Sequence, residues 1–112
     1  MINVPIVWGL IALSFVLTAT VSAGFVLLAI YLLLVNAIAH TAHAVLFRTY
    51  NPGLGTALVL FFPLATYGLL TPSVEDGVAW WMHALAAGIA IVAHAGVGLR
   101  ARQNLARHAR VA

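Results

Sequence analysis

The sequence contains no cysteine, no lysine and very little charge. Five arginines and two acidic residues, Glu75 and Asp76, are the only charged side chains in 112 residues. The lack of cysteine excludes a disulfide-stapled scaffold. A soluble domain usually carries about 25% charged residues, whereas this chain carries 6%, too few to cover the surface of a water-soluble fold. The composition therefore excludes a soluble enzyme.

Hydrophobic residues make up 64% of the chain, which excludes disorder and predicts an integral membrane protein. The length allows one domain, and no charged residue occurs between Met1 and Phe47. Since a span needs about 20 residues, this stretch accommodates two. We therefore predict an all-α membrane protein with four transmembrane helices in a compact bundle, at about residues 3–20, 24–47, 54–70 and 78–99, with a basic tail at 100–112.

Turn residues separate the second and third predicted spans. Arg48 is followed closely by Asn51-Pro52-Gly53, in which proline presets φ and glycine can supply the positive φ of a type II turn. Within the third span, Pro63 removes a backbone donor, so we expect a kink there.

The placement of the arginines predicts an orientation. Short cytoplasmic loops collect Arg and Lys. In a four-span arrangement Arg48 and the four arginines of the tail fall on one side, and Glu75 and Asp76 fall on the other. We therefore place both termini in the cytoplasm. We interpret the basic tail as a contact for anionic lipid rather than for nucleic acid.

An alternative for the N-terminal segment is a cleaved signal peptide. Residues 4–17 would form its apolar core, and Val21-Ser22-Ala23 would form the cleavage site. The first residues carry no positive side chain, which favours a span instead. Cleavage would leave three spans, with the arginines still on the cytoplasmic side.

Polar side chains inside a membrane are costly, so the intramembrane histidines need an explanation. Asn36, His40 and His43 follow one another at spacings of four and three, which places them on one helical face. Counted back from the nearest arginines at about 1.5 Å per residue, His40, His43 and His94 all lie about 8–12 Å inside the cytoplasmic boundary. His83 lies near the opposite boundary and stands apart.

Two interpretations of these histidines remain open. In the first, His40, His43 and His94 bind a transition metal or a haem-like tetrapyrrole, with Asn36 orienting a ligand, because imidazole is a common ligand of zinc, iron, copper and haem. In the second, which we favour, the imidazoles hydrogen-bond between helices. The metal interpretation requires contact between the second and fourth helices. No catalytic residue is predicted, because the intramembrane serines and threonines lack a nearby acid or base.

The run Asn36-Ala-Ile-Ala-His40, followed by Tyr50-Asn-Pro-Gly53, resembles the HxxEE family of small, uncharacterised bacterial membrane proteins. That family pairs an Asn-xxx-His motif with Tyr-x-Pro-Gly at about this distance, and Asn36, His40, Tyr50, Pro52 and Gly53 match it. The resemblance covers about residues 25–100. It implies a multi-pass protein of the bacterial inner membrane.

The family takes its name from a His-x-x-Glu-Glu motif on an earlier helix, and this sequence has no such motif. In the family, the His-Glu-Glu group together with the later histidine suggests a membrane-embedded metal site. The acidic half of that site is absent here.

Small residues are abundant in the fourth predicted span, including the pairs Ala84-xxx-Gly88 and Ala86-xxx-Ala90, which let helix backbones approach closely. With the short loops, they favour a non-catalytic accessory or structural subunit of a membrane assembly, or a homo-oligomer. The alternative is a metal- or tetrapyrrole-binding protein with a redox, pigment or oxidase role. A weaker alternative is a proton-coupled transporter.

Overall fold

A computed structural model describes residues 3–20, 23–71, 74 and 76–111, and these residues form helices and turns without any strand. The predicted all-α class is thus confirmed for this part of the chain. We number four helices in chain order, with a single 3-10 turn at Ala23–Phe25 before the second. The helices are α1 (Asn3–Thr20), α2 (Val26–Phe47), α3 (Leu54–Leu69) and α4 (Trp80–Val111).

Helix α2 is the centre of the fold, because α1, α3 and α4 all pack against it. Two clusters of buried side chains hold this packing. The first joins α2 to α3 and to the start of α4, and the second joins α1, α2 and α4. The buried members are Leu27, Ile30, Ala65, Val74 and Ala86 in the first cluster, and Ile11, Ala29, Leu32 and Ala90 in the second.

The second and fourth helices are therefore in contact, which the metal interpretation requires. In α2, Leu27 belongs to the first cluster and Leu32, further along the helix, belongs to the second. In α4, Ala86 belongs to the first cluster and Ala90, further along, belongs to the second. The two helices consequently run parallel. Alanines at the buried positions of α4 allow its backbone to lie close to α2.

A close approach of α3 to α2 depends on Gly68. A Cβ atom added at Gly68 would lie 2.8 Å from Cδ1 and 3.0 Å from Cγ1 of Ile30. Ile30 is itself only 6% exposed, so its side chain has little room to move away. Glycine at this position therefore sets the distance between the two helices.

Pro63 changes the helix type of α3. The five residues Ala57–Phe61 form a π-helical segment, and the N–H of Phe62 donates to the carbonyl of Ala57, five residues earlier. Proline has no N–H, and its ring crowds the carbonyl four residues before it. A wider turn just ahead of Pro63 accommodates that loss. Such π segments are rare, occurring mostly as single turns inside α-helices.

The lengths of the helices determine which of them are long enough to cross a membrane. Helices α2 and α4 are long and apolar enough to cross a membrane, while Trp8–Thr20 and Leu54–Leu69 are shorter apolar helices. At about 1.5 Å per residue, α3 is about 24 Å long. The hydrocarbon core of a bilayer is thicker, at about 30 Å. Helix length therefore does not establish the predicted four spans. Beyond Arg100 the basic tail continues α4 as helix to Val111.

Several sequence predictions concern residues outside the described part of the chain. Val21 and Ser22 of the alternative cleavage site are among them, as is Glu75 in the acidic loop. Asp76, its neighbour, is described and exposed.

The packing at Gly68 gives a test by alanine substitution. Gly68→Ala should lower the midpoint of thermal unfolding in detergent, because overpacking costs about 1–3 kcal/mol and exceeds the gain in helix propensity. Gly9→Ala is the matched control, since nothing lies within 4 Å of a Cβ added there. It should raise the midpoint, as replacing a helical glycine gains about 1 kcal/mol. Equal shifts in the two variants would contradict the close packing of α3 on α2.

Candidate functional site

The most highly organised polar group in the structure joins α2 to the turn that precedes α3. Nδ1 of His40 lies 2.5 Å from Oδ1 of Asn51, and Nδ2 of Asn51 donates to the backbone carbonyl of His40 at 2.9 Å. Both side chains are partly buried. Asn51 therefore binds His40 at two points, one on the ring and one on the backbone, and we call this arrangement the His40–Asn51 clamp.

The clamp determines which nitrogen of the neutral His40 ring carries the proton. A backbone carbonyl only accepts hydrogen bonds, so the nitrogen of the Asn51 amide must face the carbonyl of His40. The amide oxygen then faces Nδ1 of His40, and this oxygen also only accepts. Nδ1 must therefore donate, which leaves the lone pair on Nε2. The network thus fixes both the amide orientation and the tautomer.

Gly53 provides the space for the His40 ring. A Cβ atom added at Gly53 would overlap Nδ1, Cε1 and Nε2 of His40 almost equally, so the glycine lies against the face of the ring rather than at one edge. Pro52 directs the chain into this position. The Leu54 N–H donates to the Asn51 carbonyl at 3.0 Å and closes the turn.

The type II turn predicted at this position is wrong. Gly53 has φ −83° and ψ −13°, which are the angles of the third residue in a type I turn. The left-handed residue is instead Arg48, at φ 50° and ψ 37°, where α2 ends. Glycine is needed at position 53 because His40 occupies the space of a side chain, and a positive φ plays no part.

His94 is bound within its own helix. Its Nδ1 lies 2.9 Å from the carbonyl oxygen of Ala90, so Nδ1 donates and Nε2 holds the lone pair. Among the described residues, Nε2 of His94 is the buried side-chain nitrogen or oxygen that has no hydrogen-bond partner. Because this atom is sealed from the surface, it is not available to an incoming ligand without movement of its neighbours.

The other two histidines considered, His43 and His83, lie in different surroundings. His43 is exposed and its ring packs on Phe47 at a centroid distance of 4.8 Å. His83 contacts α2, with its Nδ1 3.1 Å from the Tyr31 hydroxyl and the two rings arranged edge to face. His83 thus links α2 and α4.

The described residues do not combine three histidine, aspartate or glutamate side chains into a group that could hold a metal ion. His40, His43 and His94 each have separate contacts, so a three-histidine site for a free ion stays a prediction without geometric support. Asn36 was predicted to orient a ligand. Within the described residues its side chain makes no hydrogen bond, and Asn51 orients His40 instead.

Asn51 is the residue that sequence reasoning missed. It occupies the variable position of the Tyr-x-Pro-Gly motif, and the sequence predicts only a turn there. Asn51 is eleven residues from His40, but α2 ends at Phe47 between them, so helical periodicity does not relate the two side chains. Only the reversal of the chain between α2 and α3 brings the two side chains together, so no local signal identified the pair.

Tyr50, the first residue of that motif, is 74% exposed. Its hydroxyl lies 3.7 Å from the position of a Cβ added at Gly55. Tyr50 therefore covers the start of α3 from outside, while Asn51 and Gly53 contact His40.

These features define a small all-helical protein in which a histidine of one helix is clamped by the turn leading to the next. The family model described as "Protein of unknown function with HXXEE motif" matches residues 1–68. The chain therefore belongs to the HXXEE family. No curated protein and no solved structure matches it.

The extent of the family match places the clamp inside it. The match includes α1 and reaches Gly68 in α3, whereas the expected resemblance began near residue 25 and continued to about residue 100. The matched region thus contains both His40 and Asn51. It also contains no His-x-x-Glu-Glu sequence.

The steric role of Gly53 gives a test with a control two residues away. Gly53→Ala should displace the His40 ring and destabilise the protein by about 1–3 kcal/mol, the cost of overpacking. Gly55→Ala places its Cβ at an ordinary 3.7 Å from Tyr50 and should be neutral or slightly stabilising. Thermal unfolding of both variants in the same detergent measures the difference. A destabilisation by Gly55→Ala as large as that by Gly53→Ala would contradict this role.

Proposed function

We propose that this protein is a non-catalytic subunit of a membrane assembly, and that it associates through the outer face of α4, most directly with a second copy of itself. The observation that carries the proposal is an apolar groove of about 490 Å³ on that helix. Its lining combines small residues with branched aliphatic ones: Ala84, Leu85, Gly88, Ile89, Val92 and Ala93.

The groove has the residue pattern of a helix–helix interface in a membrane. Ala84 and Gly88 are exposed and four residues apart, the small-xxx-small spacing that lets two backbones approach. Nothing lies within 4 Å of a Cβ added at Gly88. Beside them, Leu85 is 57% and Val92 71% exposed. Helix packing in a membrane depends on such close contact, because lipid tails are as apolar as the side chains.

The two small-residue pairs of α4 have different environments, which supports a second contact surface. Ala86 and Ala90 are buried and already face the rest of the chain. Ala84 and Gly88 face outward. Helix α4 therefore has one small-residue face that packs within the monomer and another that is available to a partner.

The proposal includes the membrane arrangement inferred from composition. Four spans would place α1 and α3 across the bilayer beside α2 and α4, with Arg48 and the tail on the cytoplasmic side of a bacterial inner membrane. Helix α1 has 18 residues and is therefore about 27 Å long, at about 1.5 Å per residue. This length is close to the thickness of the hydrocarbon core. Helix α3 would span only with some local thinning of the bilayer.

Of the other candidate functions, tetrapyrrole or metal binding has support in one observation, the His40–Asn51 clamp. Proton-coupled transport would require a chain of titratable groups. His40, His43, His83 and His94 make separate contacts rather than one chain, so no observation favours transport over assembly.

The groove on α4 predicts an oligomer that one bulky residue disrupts. Gly88→Ile should reduce the mass of the detergent-solubilised particle, measured by light scattering after subtraction of detergent, toward that of a monomer. Gly98→Ile is the matched control, because Gly98 is also exposed with nothing near its Cβ position but lies outside the groove. It should leave the mass unchanged.

Crosslinking distinguishes a second copy from a different partner. Because the native chain has no cysteine, Val92→Cys introduces a single thiol inside the groove, and Val59→Cys introduces one on exposed α3. Oxidation in native membranes should give a disulfide dimer for Val92→Cys and little for Val59→Cys. A monomer of wild-type mass with no Val92→Cys dimer would contradict self-association through this face.

A further inference from the structure

We propose that His40 binds the metal of a metallotetrapyrrole such as haem through Nε2, and that Asn51 positions the ring for this role. The inference goes beyond the proposed assembly role and does not depend on it. It rests on the state of one nitrogen atom, on the number of donors that one chain can supply, and on the apolar character of the surrounding segment.

Nε2 of His40 is the nitrogen available for a ligand. The His40–Asn51 clamp holds the proton on Nδ1, so Nε2 carries a lone pair directed away from Asn51. Within the described residues Nε2 has no hydrogen-bond partner, and it is not among the buried unsatisfied atoms there. A histidine that ligates a metal typically has this arrangement, with its other ring N–H donated to an oxygen that fixes the tautomer.

The number of donors selects the class of ligand. Structural and catalytic zinc sites use three or four protein ligands, and no group of three histidine or acidic side chains occurs in the described residues. A tetrapyrrole holds its own metal, which needs only axial ligands from the protein, and a histidine is a common one. A single oriented imidazole therefore suits a tetrapyrrole metal better than a free ion.

The surroundings of His40 suit an apolar macrocycle. His40 precedes Arg48, the residue that follows the end of α2, by eight residues, which places it about 12 Å along the helix from that charged residue. Phe47, seven residues after His40 and therefore on the same helical face, is 65% exposed. Its side chain offers apolar surface on the face of α2 that carries His40.

The test uses ferric protoporphyrin IX, added to the full-length protein in detergent and followed by its Soret absorption against protein-free micelles. Wild-type protein should shift the Soret band and saturate at one site per chain, or at one per two chains if two His40 side chains share a haem. His40→Ala should lose the shift, and added imidazole should restore it. His43→Ala, on the same helix, should bind as the wild type does.

Further variants separate ligation from stability. His40→Met substitutes another known axial ligand and should give a different spectrum rather than none. Asn51→Ala should weaken binding about 10–100-fold, the usual effect of losing a residue that orients a ligating histidine. Asn51→Asp keeps an acceptor for Nδ1–H and should recover most of the affinity.

Two results would overturn the proposal. One is the absence of a saturable Soret shift in folded wild-type protein, and the other is equal binding by wild type and His40→Ala. Haem binding by Gly88→Ile is measured alongside. Wild-type protein that binds haem as a monomer would leave the haem site intact and contradict the assembly role, and a wild-type oligomer that does not bind haem would do the reverse.

Discussion

The two hydrogen bonds between His40 and Asn51 connect α2, against which α1, α3 and α4 all pack, to the turn that starts α3. They fix the direction in which the chain leaves α2, and Gly53 then lies against the imidazole face. Helix α3 follows from this turn and packs back on α2 as far as Gly68. Because α4 packs on the same α2, the position of α3 relative to α4 also depends on that turn.

The clamp gives a physical reason for the spacing of the Tyr-x-Pro-Gly motif after the histidine. Proline presets the turn, Asn51 reaches the ring and backbone of His40, and glycine leaves the space that the ring fills. The residue between tyrosine and proline is thus the one that determines the tautomer. The absence of the His-x-x-Glu-Glu sequence does not affect this arrangement, which needs no carboxylate.

Composition and residue spacing predicted the helical class, the end of α2 near Phe47 and the turn at Asn51–Gly53, because long apolar runs and turn residues act locally. They did not predict the π segment before Pro63, the left-handed Arg48 or the type of turn. Those depend on how the chain relieves crowding. The sequence likewise predicts one membrane depth for His40, His43 and His94, but which neighbour each ring meets is decided by tertiary packing.

The central claim is that the fold holds His40 as the Nδ1–H tautomer with a free lone pair on Nε2. Nitrogen-15 NMR of histidine-labelled protein in detergent micelles or bilayers, with the His40 signals assigned by their loss in His40→Ala, tests this most directly. The account predicts a protonated Nδ1 and an unprotonated Nε2 in the neutral form of the His40 ring, and loss of that preference in Asn51→Ala. A His40 protonated on Nε2, or one unaffected by Asn51→Ala, would contradict it.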